Sequence, residues 1–168
     1  MIRIERAEDS RAFADVMRLL DIMAPWDVEM SRPLGFTEEE ILSAFYGESA
    51  ESLAITWGST DAMMLLAREG DRALGCVALR IDGPIGKIDR FFVDPAARGR
   101  GIGGRLLDTA IAILEERGAT RVRLLTATFM HAAHALYRSR GFVLCEPFED
   151  VGERLLPSTL FMERPGPP

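Results

Sequence analysis

A run of glycines and arginines between a strand and a helix constrains this chain more than any other feature. Phe91-Phe92-Val93 reads as the end of a strand, and Asp94-Pro95 stops it. Arg98-Gly99-Arg100-Gly101-Ile102-Gly103-Gly104 then leads into a helix. Ile102, Leu106, Leu107, Ala110, Ile111, Ile113 and Leu114 recur on that helix at helical spacing, and Gly118 stands where a left-handed cap closes it. Glycines let backbone N–H groups approach an anion closely, and a helix N-terminus adds unpaired donors and a positive dipole end. Arg98, Arg100 and Arg105 would add charge-assisted bonds to a diphosphate.

Three other uses of such a turn compete. Gly99-x-Gly101-x-x-Gly104 matches the bare dinucleotide fingerprint, but that fold needs an acid at the end of the next strand. Here the next strand ends in Thr126-Ala127-Thr128, and the chain after Gly104 is too short for a doubly wound sheet. A nucleotide-triphosphate loop needs Gly-Lys-Ser/Thr, which the turn lacks. A Gly-rich connection with no ligand is the bland alternative, and three arginines around four glycines weigh against it.

Around the turn the pattern reads as one domain over 1–164. Ile2 and Ile4 alternate with charges as in a half-buried strand. Asp9 or Ser10 caps a helix carrying Phe13 to Met23, which Pro25 is expected to end. Trp26 to Gly35 reads as irregular. Thr37 with Glu40 forms a capping box for a second helix bearing Ile41, Leu42 and Phe45, and Ser49 to Trp57 reads as a helical turn or a loop. Met63 to Arg68, Ala73 to Ile81 and Ile85 to Val93 are β-rich runs joined by short Gly turns, an antiparallel meander. After the glycine turn come a strand at Val122 to Thr126, a helix at Met130 to Arg140, and strands at Phe142 to Cys145 and Thr159 to Met162. Residues 165–168 read as a frayed tail.

With 26 acidic against 20 basic residues, the net charge of −6 disfavours nucleic acid and anionic membranes as partners. No apolar run approaches the length of a membrane span, and the charged start at Met1 to Glu8 is unlike a signal peptide. These features point to a cytoplasmic protein. Two cysteines, Cys76 and Cys145, are too few for a disulfide framework or a Cys-rich zinc site and read as small core residues. His131 and His134 stand three apart on a helix, but no nearby Asp or Glu joins them, so no metal is expected.

The turn and its surroundings resemble the GNAT acyl-CoA N-acetyltransferases. Arg98-x-x-Gly101-x-Gly103 after Val93-Asp94-Pro95 is similar to the family's signature, and Ala133-x-x-Leu136-Tyr137-x-x-x-Gly141-Phe142 is similar to its later motif. The resemblance covers Met63 to Met162 well and Met1 to Gly58 loosely. It implies an α+β (α/β mixed) fold, with a central, mostly antiparallel twisted sheet of about seven strands flanked by about four helices and splayed between the fourth and fifth strands. It implies acetyl-CoA as co-substrate, held by Phe92, Val93, Arg98, Gly99, Arg100, Gly101, Ile102, Gly103, Gly104 and Ala133, with pantetheine between Ile88 to Val93 and Val122 to Thr126. An acceptor amine would attack the thioester directly, with Tyr137 as general acid.

Two departures from the family pattern stand out. Many relatives carry Glu about six residues before the strand-ending Val, where this chain has Lys87; Asp89, on the same face, is then either the base or a partner of a neighbouring cation. Met130 replaces a family Asn. An ordinary packed aromatic is the lesser alternative for Tyr137. The expected function is transfer of an acetyl group to an amine of a small molecule or a protein. A catalytically silent acyl-CoA-binding or regulatory module is the alternative, and a relative acylating charged transfer RNA fits the acidic charge poorly. The acceptor would lie against Pro25 to Trp57, where Asp27, Glu29, Glu38, Glu39 and Glu40 offer charge for a cation. Oligomeric state is open, a homodimer included.

Overall fold

Hydrophobic alternation and Gly turns after residue 61 build the sheet to which everything else is attached. The structure is a computed structural model that describes residues 1–166. Among them are seven strands and five α-helices: β1 (Ile2–Arg6), α1 (Ser10–Ser31), α2 (Glu38–Phe45), α3 (Ala50–Trp57), β2 (Ala62–Glu69), β3 (Arg72–Asp82), β4 (Ile85–Val93), α4 (Ile102–Glu116), β5 (Arg121–Ala127), α5 (His131–Ser139), β6 (Val143–Leu144) and β7 (Thr159–Pro165). The strands form one sheet in the order β1-β2-β3-β4-β5-β7-β6, antiparallel except for the β4–β5 pair. Gly70 and Gly83, at φ 57° and 55°, make the two tight turns of the β2–β3–β4 meander, which non-Gly residues would strain.

Each face of the sheet carries its own core. Leu65, Val77, Leu79, Ile88 and Leu124 meet Leu106, Leu107 and Leu114 of α4 on one side. Met64, Leu66, Cys76, Ala78 and Phe92 meet Phe13, Val16, Leu20, Leu53 and Trp57 of α1 and α3 on the other. Strand β2 is therefore buried on both faces, which explains its unbroken apolar run. Phe91 and Phe92 go to opposite sides as strand alternation requires.

The helix ends follow the sequence signals with one exception. Asp9 caps α1 through Ala12 N–H, both halves of the Thr37–Glu40 capping box form, and Ser49–Ser52 form a second box that makes Ser49 to Trp57 a true helix. Gly118 at φ 95° closes α4. The exception is Pro25, which does not end α1: the helix continues to Ser31, and a 3-10 turn at Arg32–Leu34 follows, so Trp26 to Gly35 is ordered rather than irregular. Pro25 lacks an N–H for the carbonyl one turn back, but its fixed φ is helical. Burial of Ala24, Asp27 and Val28 around it holds the last turn in place. Pro165 is also taken into the sheet as the last residue of β7, opposite Arg121, while Pro167 and Pro168 lie outside the described residues. The strand expected over Phe142 to Cys145 shrinks to Val143–Leu144.

The sheet opens at its middle. Strands β4 and β5 pair only from Ile85–Arg121 to Ile88–Leu124, and beyond Ile88 each keeps its other neighbour alone. A bulge starts at the same point: Ala78 faces Asp89, but Cys76 faces Phe92. The extra residue on β4 puts Arg90 at φ 45°, the one described non-Gly residue with positive φ. Its amide, lost to the ladder, donates instead to Oδ1 of Asp89 at 2.9 Å.

Candidate active site

The splay and the glycine turn produce two adjoining hollows. One, a cleft of about 480 Å³, lies over the turn between β4 and the start of α5. The other, a cavity of about 200 Å³, lies between α1, α2 and the ends of β4 and β5. Met23, Phe91, Phe129 and Met130 line both, so the two meet at Phe91. Trp26 packs edge-on against Phe129 at 5.6 Å beside that junction.

The cleft gathers nine of the ten residues assigned to cofactor binding from sequence: Phe92, Val93, Arg98, Gly99, Gly101, Ile102, Gly103, Gly104 and Ala133. Among the described residues, the amides from Gly99 to Gly104 donate to no protein acceptor. They comprise the loop amides and the first-turn donors of α4 that no helix can satisfy internally. Gly99 and Gly101 sit at φ 78° and 73°, the left-handed region that glycine enters without strain. At Gly103 a Cβ would stand 3.2 Å from Phe91 Cζ and 3.4 Å from Leu136 Cδ2, so any larger residue would press on the cleft wall. An array of free amides at a helix N-terminus is suited to a diphosphate. Arg100 is the tenth residue, and it turns away: its guanidinium is bidentate to Glu69, with contacts of 2.6 and 3.2 Å.

Phe92 reaches the cleft from the sheet while its ring belongs to the α1–α3 core. Gly104 faces Arg140, whose Nη2 would lie 2.7 Å from an added Cβ and which is held by Asp108.

The cavity brings Tyr137 and Asp89 together. Tyr137 is buried, its ring 5.8 Å from Phe91 and 5.9 Å from Phe142. Burial, and then the charge of Asp89, push its phenol above the ordinary tyrosine range, so it holds its proton. Asp89 is half-buried; besides the Arg90 amide it has Lys87 Nζ at 3.9 Å, and that ammonium is itself engaged by Glu149 at 2.6 Å. Lys87 is thus paired chiefly away from Asp89.

His134 is buried, and Nε2 donates to the Ala127 carbonyl at 2.9 Å, tying α5 to the end of β5; burial lowers its pKa. His131 packs edge-on to it at 5.9 Å. Among the described residues no three metal-ligating side chains come together. Cys76 is fully buried, its thiol pushed up to about 12 by desolvation, which leaves no nucleophile there.

Sequence reasoning missed how the cavity is finished. Asp27 of α1 is 94% buried in its wall and accepts the Tyr46 hydroxyl at 2.9 Å, whereas Glu40, weighed equally from sequence, is taken by Thr37 and Arg154. Arg90 also lines the cavity and pairs with Glu48. An acid one turn beyond an apolar helix stripe was the available signal for Asp27.

The comparisons agree with this geometry. The chain resembles an IAA acetyltransferase of Azospirillum brasilense, 38% identical over 112 residues, 66% of this chain and 72% of that one. A mycothiol acetyltransferase of Beutenbergia cavernae is 38% identical over 89 residues, which span 52% of this chain but only 30% of that larger protein. Among solved structures, the PaiA N-acetyltransferase of Thermoplasma acidophilum, crystallised with coenzyme A, has the same fold with a TM-score of 0.77 over 98% of this chain and 99% of its own, at 20% identity. Residues 28–142 match the acetyltransferase (GNAT) family, and the chain belongs to that family of acyl-CoA-dependent N-acetyltransferases.

Proposed function

We propose that this protein carries acetyl-CoA in the cleft and an amine in the cavity, and that the acetyl group passes between them at Phe91. The observation that carries the reading is the meeting of a free-amide array with a half-buried carboxylate, Asp89, and a buried phenol, Tyr137, at the sheet's opening. The PaiA N-acetyltransferase with the same fold binds coenzyme A, which favours the same use of the cleft here. In this reading the amides of Gly99 to Gly104 and Arg98 take the diphosphate, and the unpaired edges of β4 and β5 hold the pantetheine arm.

The neutral amine attacks the thioester carbonyl. Its N–C bond forms, the C–S bond breaks, the amine proton leaves to Asp89 directly or through water, and Tyr137 gives its proton to the departing thiolate. A phenol kept protonated by burial suits the acid's role. A cytoplasmic location, where acetyl-CoA is made available, is part of the same proposal, consistent with no helix being long and apolar enough to cross a membrane among the described residues.

The test is incubation with acetyl-CoA and a panel of amines, read as free-thiol release. Release with at least one amine is expected; tight CoA binding with no release on any of them would leave only a silent binding module.

A further inference from the structure

The cavity holds two carboxylate–phenol pairs, and only one is needed for the transfer. Asp89 and Tyr137 stand at the junction with the cleft; Asp27 and Tyr46 belong to α1 and the end of α2. The walls around them are otherwise largely apolar, with Leu20, Phe36, Ile41, Leu125 and Leu155. Asp27 is 94% buried, yet its partners are hydroxyls, Tyr46 and Ser31, and no cation pairs with it among the described residues. A buried carboxylate without a cation is costly, and burial raises its pKa accordingly. Arg90 is the one cation in the wall; its Nη2 pairs with Glu48 and its Nε is buried without a partner, so Asp27 and Asp89 outnumber it and the lining carries more carboxylate than cation.

Building on the proposed acetyl transfer, we infer that Asp27 selects acceptors carrying a second cationic group, an ammonium or guanidinium, joined to the reacting amine by an apolar stem. The stem lies along the apolar wall, the far cation completes the ion pair at Asp27, and the near amine stays at Asp89 and Tyr137. Asp27 is a specificity residue in this arrangement and takes no part in the chemistry.

Three six-carbon probes separate the possibilities: hexamethylenediamine, hexylamine and ε-aminocaproate. Their affinities for the CoA-loaded protein are measured by calorimetry, together with kcat/KM for acetylation. The wild type is expected to favour the diamine over hexylamine by about tenfold to a hundredfold, the range of a charge-assisted contact. ε-Aminocaproate should bind worst, because its carboxylate meets Asp27. Asp27→Asn should bring the diamine-to-hexylamine ratio close to one. A wild-type ratio near one, a preference for ε-aminocaproate, which would make Arg90 the reader, or a ratio unchanged in Asp27→Asn would each overturn the inference. Binding reads this independently of turnover, so a protein that discriminates the probes but releases no thiol would sink the proposed transfer and leave the role of Asp27 standing.

Discussion

The Tyr46 hydroxyl donates to Oδ2 of Asp27 at 2.9 Å, joining the end of α2 to α1 inside the wall of the cavity. Without a cation beside it, this carboxylate lowers the stability of the fold whenever it is ionised. Burial, opposed by its hydroxyl partners, raises its folded pKa above the unfolded value. Its contribution is therefore most favourable below the ordinary Asp range and is lost as pH rises through the raised folded value. Asp27→Asn retains an acceptor for Tyr46 and removes the charge. Thermal melts should show the variant matching the wild type at acidic pH and exceeding it at neutral pH, by about 2–4 °C for each kcal/mol gained.

Tyr137→Phe removes the proposed acid and leaves the ring contacts with Phe91 and Phe142. Turnover should fall by about 10²–10⁴-fold with CoA affinity unchanged. Because burial and Asp89 hold the wild-type phenol above its ordinary range, the wild-type pH–rate profile should show no alkaline decline from this group below that range. Equal turnover in the variant would take Tyr137 out of the mechanism.

The two arginines of the turn should separate. Arg98 lines the cleft, while Arg100 is bidentate to Glu69. CoA titrations should show a clear loss of affinity for Arg98→Ala and little change for Arg100→Ala; the reverse order would mean that Arg100 leaves Glu69 when CoA binds.

Gly101→Ala tests the amide array itself. A Cβ there has space but must adopt φ 73°, at a cost of about 1–2 kcal/mol. Relaxation of that strain would turn the amides, so CoA affinity should fall more than thermal stability does. Affinity and stability falling in step would indicate a structural glycine only.

The donor half of this site was legible in sequence because it is local. Strand end, glycines, arginines and helix lie within Phe91 to Leu107; Gly99 and Gly101 have a backbone reason to be there, and Gly103 and Gly104 a crowding one. The cavity was legible only in part: Pro25 to Trp57 was expected beside the acceptor and supplies one wall, but β4, β5 and the segment before β7, remote in sequence, complete it. Pro25 looked like a helix stop, but one missing hydrogen bond is less than the burial of Ala24, Asp27 and Val28 secures. The bulge at Arg90 had no signal at all, because a positive φ at an arginine is imposed by the pairing of β3 with β4. The pairing of Arg100 with Glu69 had no local signal either, because Glu69 is brought to it by the β2–β3 turn, remote in sequence.

If acetyl-CoA and the amine are held together and react directly at Phe91, initial rates with acetyl-CoA and hexamethylenediamine varied against each other will show it. Lines that intersect in a double-reciprocal plot, with one thiol released per acetylated amine, are the predicted result. Parallel lines, with an acetylated protein isolated in the absence of amine, would contradict it.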